Sequence, residues 1–290
     1  MTGLVTLIVL AAAAMHAAWS ALVKEQTDRL AGMAVMSGVG SLAGAALIWL
    51  EPPLQAAAVG WLAASIVLHW IYFGVLVEAY RIGDLSQVYP VSRGVSPLGI
   101  ALFGTLSGSE ALTPLVLLGV GAVSAGLFSL ALPGEGRPTP AGSGSPPRRA
   151  HGMALAYALV VGGLIVAYSL VDSRGVRAGQ HPLAYAGWLF AFQSVPWLLL
   201  AGVRRGRALL RTPQPVLLRA LGAGVLSVAA YGAVLWAFSQ GSAAAVSALR
   251  ETGVIFAALI GTLFLGEPFG ARRVAAAALV ALGVALIRLG

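Results

Sequence analysis

The sequence predicts an all-α polytopic membrane protein with ten transmembrane helices folded as a 5+5 inverted repeat. Three observations carry that expectation: the composition, a series of ten apolar segments, and a likeness between the two halves. Hydrophobic residues make up 59% of the chain and charged residues 10%, with a mean hydropathy of +0.88. Soluble domains hold roughly 25% charged residues. With so few, this chain could not cover its apolar surface in water, and lipid is the solvent that suits it. Cysteine is absent, which excludes disulfides, thiol chemistry and cysteine-ligated metals. The 37 glycines suit membrane helices that pack closely through small residues. The net charge of +8 sits mostly on arginines in short loops, which favours lipid headgroups over nucleic acid as the partner.

A crossing needs about 20 mostly apolar residues. Ten segments come close, at roughly 3–23, 30–49, 56–79, 86–107, 113–131, 151–171, 183–203, 215–238, 243–265 and 270–289. The first reads as a spanning helix rather than a cleavable leader. The fourth contains Pro90 and Pro97, which remove backbone hydrogen bonds and suggest a kink. Residues 132–150, rich in Pro, Gly and Ser, read as a flexible linker. They divide the chain into a first five-helix repeat at 1–131 and a second at 151–290.

The halves resemble each other. A shift of 157 residues carries Arg93 onto Arg250, Glu110 onto Glu267 and Gly126 onto Gly283. A shift of 158 carries Gly83 onto Gly241 and His69 onto Ser227. Five crossings is an odd number, so the second copy enters the membrane from the opposite side. Inverted repeats are a transporter feature, with the binding site near mid-membrane between the copies. Basic residues favour the cytoplasmic side. With ten crossings, the odd-numbered loops hold Lys24, Arg29, Arg81, Arg137, Arg148, Arg149, Arg204, Arg205, Arg207, Arg211, Arg219, Arg272 and Arg273; the other side holds Arg174, Arg177 and Arg288. The expected location is a bacterial inner membrane, with both termini outside.

Three stretches carry a family likeness. His16-Ala17-Ala18-Trp19-Ser20-Ala21-Leu22-Val23-Lys24 is similar to HAxWNxxxK, with Ser20 where Asn is usual. Tyr89-Pro90-Val91-Ser92-Arg93-Gly94, followed by Pro97, is similar to YPxxRGxxP. Leu249-Arg250-Glu251-Thr252, followed by Leu265-Gly266-Glu267, is similar to RET…LGE. On these motifs the chain resembles the EamA family of the drug/metabolite transporter superfamily. The resemblance implies the 5+5 inverted repeat and transport of small organic solutes, often the export of amino acids or related metabolites.

Charges inside a span are costly and mark functional positions. Arg93 lies on a polar stripe with Ser86, Tyr89 and Ser96; Arg250 lies near Ser247 and beside Glu251. Either guanidinium could hold a carboxylate or phosphate group. Either could equally be neutralised by Glu251, Glu78 or helix-end carbonyls. His16, with Trp19 close by, and His69 are candidates for substrate or proton binding, or for plain backbone hydrogen bonding. Substrate contacts are therefore expected from His16, Trp19, Tyr89, Arg93 and Arg250, with His69, Tyr72, Tyr80, Tyr168, Tyr231, Trp236 and Glu251 as coupling or lining groups. An aromatic wall with few polar groups suits a ligand pocket, though ordinary packing accounts for each aromatic as well. Glu78 and Asp172 are expected at span ends, solvated or ion-paired. Glu110 and Glu267 are expected to cap helix ends in tight turns. Trp49, Trp61 and Trp197 read as interface anchors.

Phosphate loops and zinc motifs are lacking in the sequence, so no cofactor or metal is expected. The leading expectation is a secondary transporter, a probable exporter, for small anionic or zwitterionic metabolites, working by alternating access and not an enzyme. The competing readings are an intramembrane enzyme, which needs acid, base or metal ligands clustered at one depth, and a scaffold or sensor without transport.

Overall fold

The structure, a computed structural model, describes residues 1–24, 26, 28–82, 85–131, 148–265 and 270–290. Gly83, Arg137, Gly266, Glu267 and most of the expected linker lie outside these residues. Among them the chain forms twelve α-helices: α1 (Gly3–Lys24), α2 (Arg29–Leu50), α3 (Ala56–Ile82), α4 (Leu85–Leu106), α5 (Pro114–Ala131), α6 (Arg148–Gly179), α7 (Pro182–Gln193), α8 (Val195–Arg205), α9 (Gln214–Gln240), α10 (Ala243–Arg250), α11 (Gly253–Leu265) and α12 (Ala271–Leu289). A short 3-10 helix, Gly206–Arg211, joins α8 to α9. Helix satisfies every backbone group within its own segment, which lipid demands. Eight stretches, counting α7–α8 and α10–α11 each as one, are long and apolar enough to cross a membrane. The chain is a polytopic α-helical membrane protein.

Helix covers each of the ten apolar segments, with instructive differences. α4 and α12 fall short of the apolar threshold: α4 contains Arg93 and several hydroxyl residues, and α12 carries Arg272, Arg273 and Arg288. α4 runs as one helix through Pro90 and Pro97. The seventh segment breaks at Ser194, ahead of Pro196, into α7 and α8. The ninth breaks at Glu251-Thr252 into α10 and α11. There the helical hydrogen bonds tighten to the i+3 pattern, with Glu251 N–H donating to Ala248 O and Thr252 N–H to Leu249 O, a 3-10 turn inside a crossing. α6 begins at Arg148, so the last three residues of the expected linker are helical.

Packing follows a regular scheme. α3 lies on α6 and α1 on α9; α2 lies on α7 and α5 on α12. Small residues make the last two contacts close. A Cβ on Gly119 would come within 2.6 Å of the Gly283 carbonyl, and one on Gly283 within 2.6 Å of the Gly119 carbonyl. The backbones touch, and this dispersion contact is what holds helices together in lipid.

The end of the bundle that carries both termini is clasped. The Glu110 carboxylate, in the connection between α4 and α5, accepts a hydrogen bond from Ala243 N–H at 2.9 Å, which caps the first turn of α10 in trans beside its own Ser242 cap. The Arg177 guanidinium lies 3.8 Å from Glu110 and donates to the carbonyls of Phe238 at 3.1 Å and Gly241 at 2.6 Å. Arg174 donates to Ser107 and Ser109 and lies over the Trp61 ring. At the opposite end, Asp28 caps α2 and pairs with Arg205 at 2.9 Å, a partly exposed contact.

Candidate functional site

The polar residues of the interior converge where α1, α3, α4, α6, α9 and α10 meet. Arg93 of α4 donates to Glu251 at 3.0 Å, and the side chains are 6% and 3% exposed. This is the neutralising partner the sequence offered for Arg93, and it ties α4 to the break after α10. Ser96 and Ser247 stand 3.3 Å apart across the same contact. The Arg93 guanidinium also lies 5.8 Å from the Tyr89 ring centre.

Arg250 is placed differently. It closes α10 and is buried, and its guanidinium lies 5.8 Å from the centre of the Tyr231 ring. Its Nη1 has no hydrogen-bond partner, and neither has the second carboxylate oxygen of Glu251, Oε1. An open cationic donor and an open anionic acceptor thus stand on adjacent residues inside the bundle. Buried polar atoms are almost always satisfied, and leaving a charged one unmade is costly. A zwitterion would satisfy both, its carboxylate on Arg250 and its ammonium on Glu251.

Around the charges stands an aromatic wall. His69 packs against Tyr168 in a tilted arrangement with 4.4 Å between ring centres and meets Tyr231 edge-on at 5.8 Å. Tyr72 meets Tyr168 at 5.4 Å. The His69 Nδ1 lies 2.9 Å from Ser65 O, the backbone contact weighed as its plain role. His16 meets Trp19 edge-on at 4.9 Å and lies within electrostatic range of Arg93 and Arg250. His16, Trp19, Tyr72, Tyr89 and Tyr231 are partly exposed although they sit against buried groups. Tyr80 is 39% exposed, and Trp236 packs against the apolar core. The expected residues therefore gather into one cluster, with Tyr80 and Trp236 at its margin. Ser86, expected on the polar stripe of α4, has a side chain outside those described.

Asp172 corrects the sequence reading. Expected at a span end, it is fully buried, because α6 continues to Gly179. Its Oδ1 accepts from Tyr185 at 2.9 Å and its Oδ2 from Tyr231 at 2.5 Å. The spacing of Asp172 one turn after Tyr168 was the available signal. Glu78 fits its expected surface role, with Arg81 at 2.6 Å. Glu110 caps a helix as expected, though the helix belongs to the other half. Trp49 is 84% exposed, as an anchor is. A pocket of about 210 Å³ opens at the end carrying the termini, lined by Leu112, Thr113, Gln240 and Ser242 among others. It holds no ionisable side chain.

Residues 152–289 match the model of the EamA-like transporter family, part of the drug/metabolite transporter superfamily. That stretch is similar to the family. The matched stretch supplies Arg250, Glu251, Tyr168, Asp172 and Tyr231, while the part before it supplies His16, His69 and Arg93. No significant match exists among curated proteins. A solved crystal structure of a protein is similar over 100% of this chain and 99% of its own, with a TM-score of 0.75 and 18% identity. At that identity the likeness concerns the fold alone, and it spans the whole chain.

Proposed function

We propose that the chain is a secondary transporter of small zwitterionic or anionic metabolites, amino acids among them, working by alternating access of two inverted five-helix repeats in a bacterial inner membrane. The observation that carries the substrate class is the adjacent, unpartnered pair of Arg250 Nη1 and Glu251 Oε1. The match of residues 152–289 to a transporter family supports the activity.

Packing supports the repeat. Under the exchange of each element of one copy for its counterpart in the other, the contact of α3 with α6 becomes that of α9 with α1; the contacts of α2 with α7 and of α5 with α12 return to themselves. The 157-residue shift works at residue level too. Gly119 faces Gly283, and a Cβ on Gly126 would come within 2.9 Å of Ala276 O. The shift carries Gly119 onto 276 and Gly126 onto 283, so each contact is the image of the other. Ten crossings in this arrangement put both termini on the outer face by the distribution of arginines.

The test is counterflow of labelled amino acids in proteoliposomes holding the purified chain. Arg93→Ala and Arg250→Ala should each abolish flux while the protein inserts normally. Unchanged flux in both variants would remove the arginines from the site. Accessibility labelling that found the halves in the same orientation would end the inverted-repeat reading.

A further inference from the structure

Asp172 stands apart from the substrate contacts just proposed. It is a fully buried carboxylate, and both of its oxygens are held by phenols, Tyr185 on Oδ1 and Tyr231 on Oδ2. Among the described residues, no lysine, arginine or histidine lies within ion-pair distance of it. Buried carboxylates inside a bundle usually have a cation as partner. Two phenol donors leave acceptor sites free on each oxygen. We propose that Asp172 is a proton-binding site, and that its proton and a substrate anion on Arg250 favour one another.

The step is simple to balance. One proton from water adds to one carboxylate oxygen, forming an O–H bond and removing one negative charge. The phenol that donated to that oxygen turns its hydroxyl and accepts instead. Tyr231 links this event to the substrate site, since its hydroxyl holds Asp172 while its ring face holds the Arg250 guanidinium. When Asp172 is ionised, its field partly compensates Arg250. When Asp172 is neutral, Arg250 attracts an anion more strongly, and the anion in turn makes an ionised Asp172 less favourable. Linkage makes the two effects equal. Proton and anion then cross together. An exporter built this way runs on the gradient of its solute and carries protons out with it.

The other titratable or charged groups turned towards this cluster are His16 on α1, His69 and Tyr72 on α3, Tyr89 and Arg93 on α4, Tyr168 on α6 itself, Tyr185 on α7, Tyr231 on α9, and Arg250 with Glu251 at the end of α10. Among them only Glu251 is a second carboxylate, and it is already paired with Arg93.

The role of Arg250 as an anion site rests on the transport reading, but the proton site can be tested without transport. The full chain in lipid is titrated while the carboxylic acid C=O stretch is followed by infrared difference spectroscopy. The expected result is a band that grows as the pH falls and is missing in Asp172→Asn. In Arg250→Gln the same band should appear at higher pH, with proton affinity raised about threefold or more, because the compensating charge is gone. Tyr231→Phe keeps the carboxylate and its other donor, so it serves even if Asp172→Asn does not fold; its band should also move to higher pH. A band that persists unchanged in Asp172→Asn, or one indifferent to both Arg250→Gln and Tyr231→Phe, overturns the proposal. Loss of flux with the titration intact would reject the transport reading and leave the proton site standing.

Discussion

Arg93 and Arg250 are counterparts under the 157-residue shift, yet their surroundings differ. Arg93 is followed by Gly94, and Arg250 by Glu251. The one carboxylate this creates pairs with Arg93, and the matching place in the first copy offers Arg250 nothing. Packing explains why Gly94 is small: a Cβ there would come within 2.7 Å of the Phe128 ring. On the proposed repeat, the two halves provide two guanidiniums; a single difference pairs one across the halves and leaves the other open.

The largest expected effect tests the joined arginine. Glu251→Gln leaves Arg93 buried without compensation and should cost about 3–5 kcal/mol of stability, read as a lowered melting temperature in detergent. Arg93→Met with Glu251→Leu should recover most of that stability, since an apolar pair replaces a buried ion pair at little cost, and should not recover flux. If Glu251→Gln melts like the wild type, the pair is not holding the copies together.

Arg250→Ala tests the open arginine. Substrate affinity should fall more than about 30-fold, the scale of losing a buried charged contact, with only a small change in melting temperature. A melting loss as large as that of Glu251→Gln would make the two arginines alike and break the comparison. Next in size, Gly94→Ala should cost about 1–3 kcal/mol by overpacking against Phe128, measured in the same melting assay. The smallest effect is expected at the partly exposed Asp28–Arg205 pair. Arg205→Ala should cost less than about 1 kcal/mol, which calibrates how much of the Glu251 effect is due to burial.

Much of the fold was legible because lipid imposes a length code: an apolar stretch of crossing length must be helical. The segment expected at 3–23 is α1 (Gly3–Lys24), and that at 113–131 is α5 (Pro114–Ala131). The same code hid Asp172. Counting stopped where Asp172, Arg174 and Arg177 interrupt the apolar run, but the helix continues because both arginines find partners in the loops of the clasped end. The breaks at Ser194 and at Glu251-Thr252 also escaped, since a hydropathy run does not record where hydrogen bonds tighten. Arg93, Arg250, His16 and His69 could be selected by polarity alone. Which carboxylate serves which arginine depends on contact between residues 158 positions apart in the chain, and only the fold decides that.

The eight residues of α10 form a rod about 12 Å long, pinned by Glu110 and Ser242 at its first turn and ending in the 3-10 turn at Glu251-Thr252. The clasp and the guanidinium therefore stand at the two ends of one short helix. Releasing Glu110 would leave the first turn of α10 to Ser242 alone, so the capping of one face of the bundle and the placement of the charge at its centre depend on the same two turns.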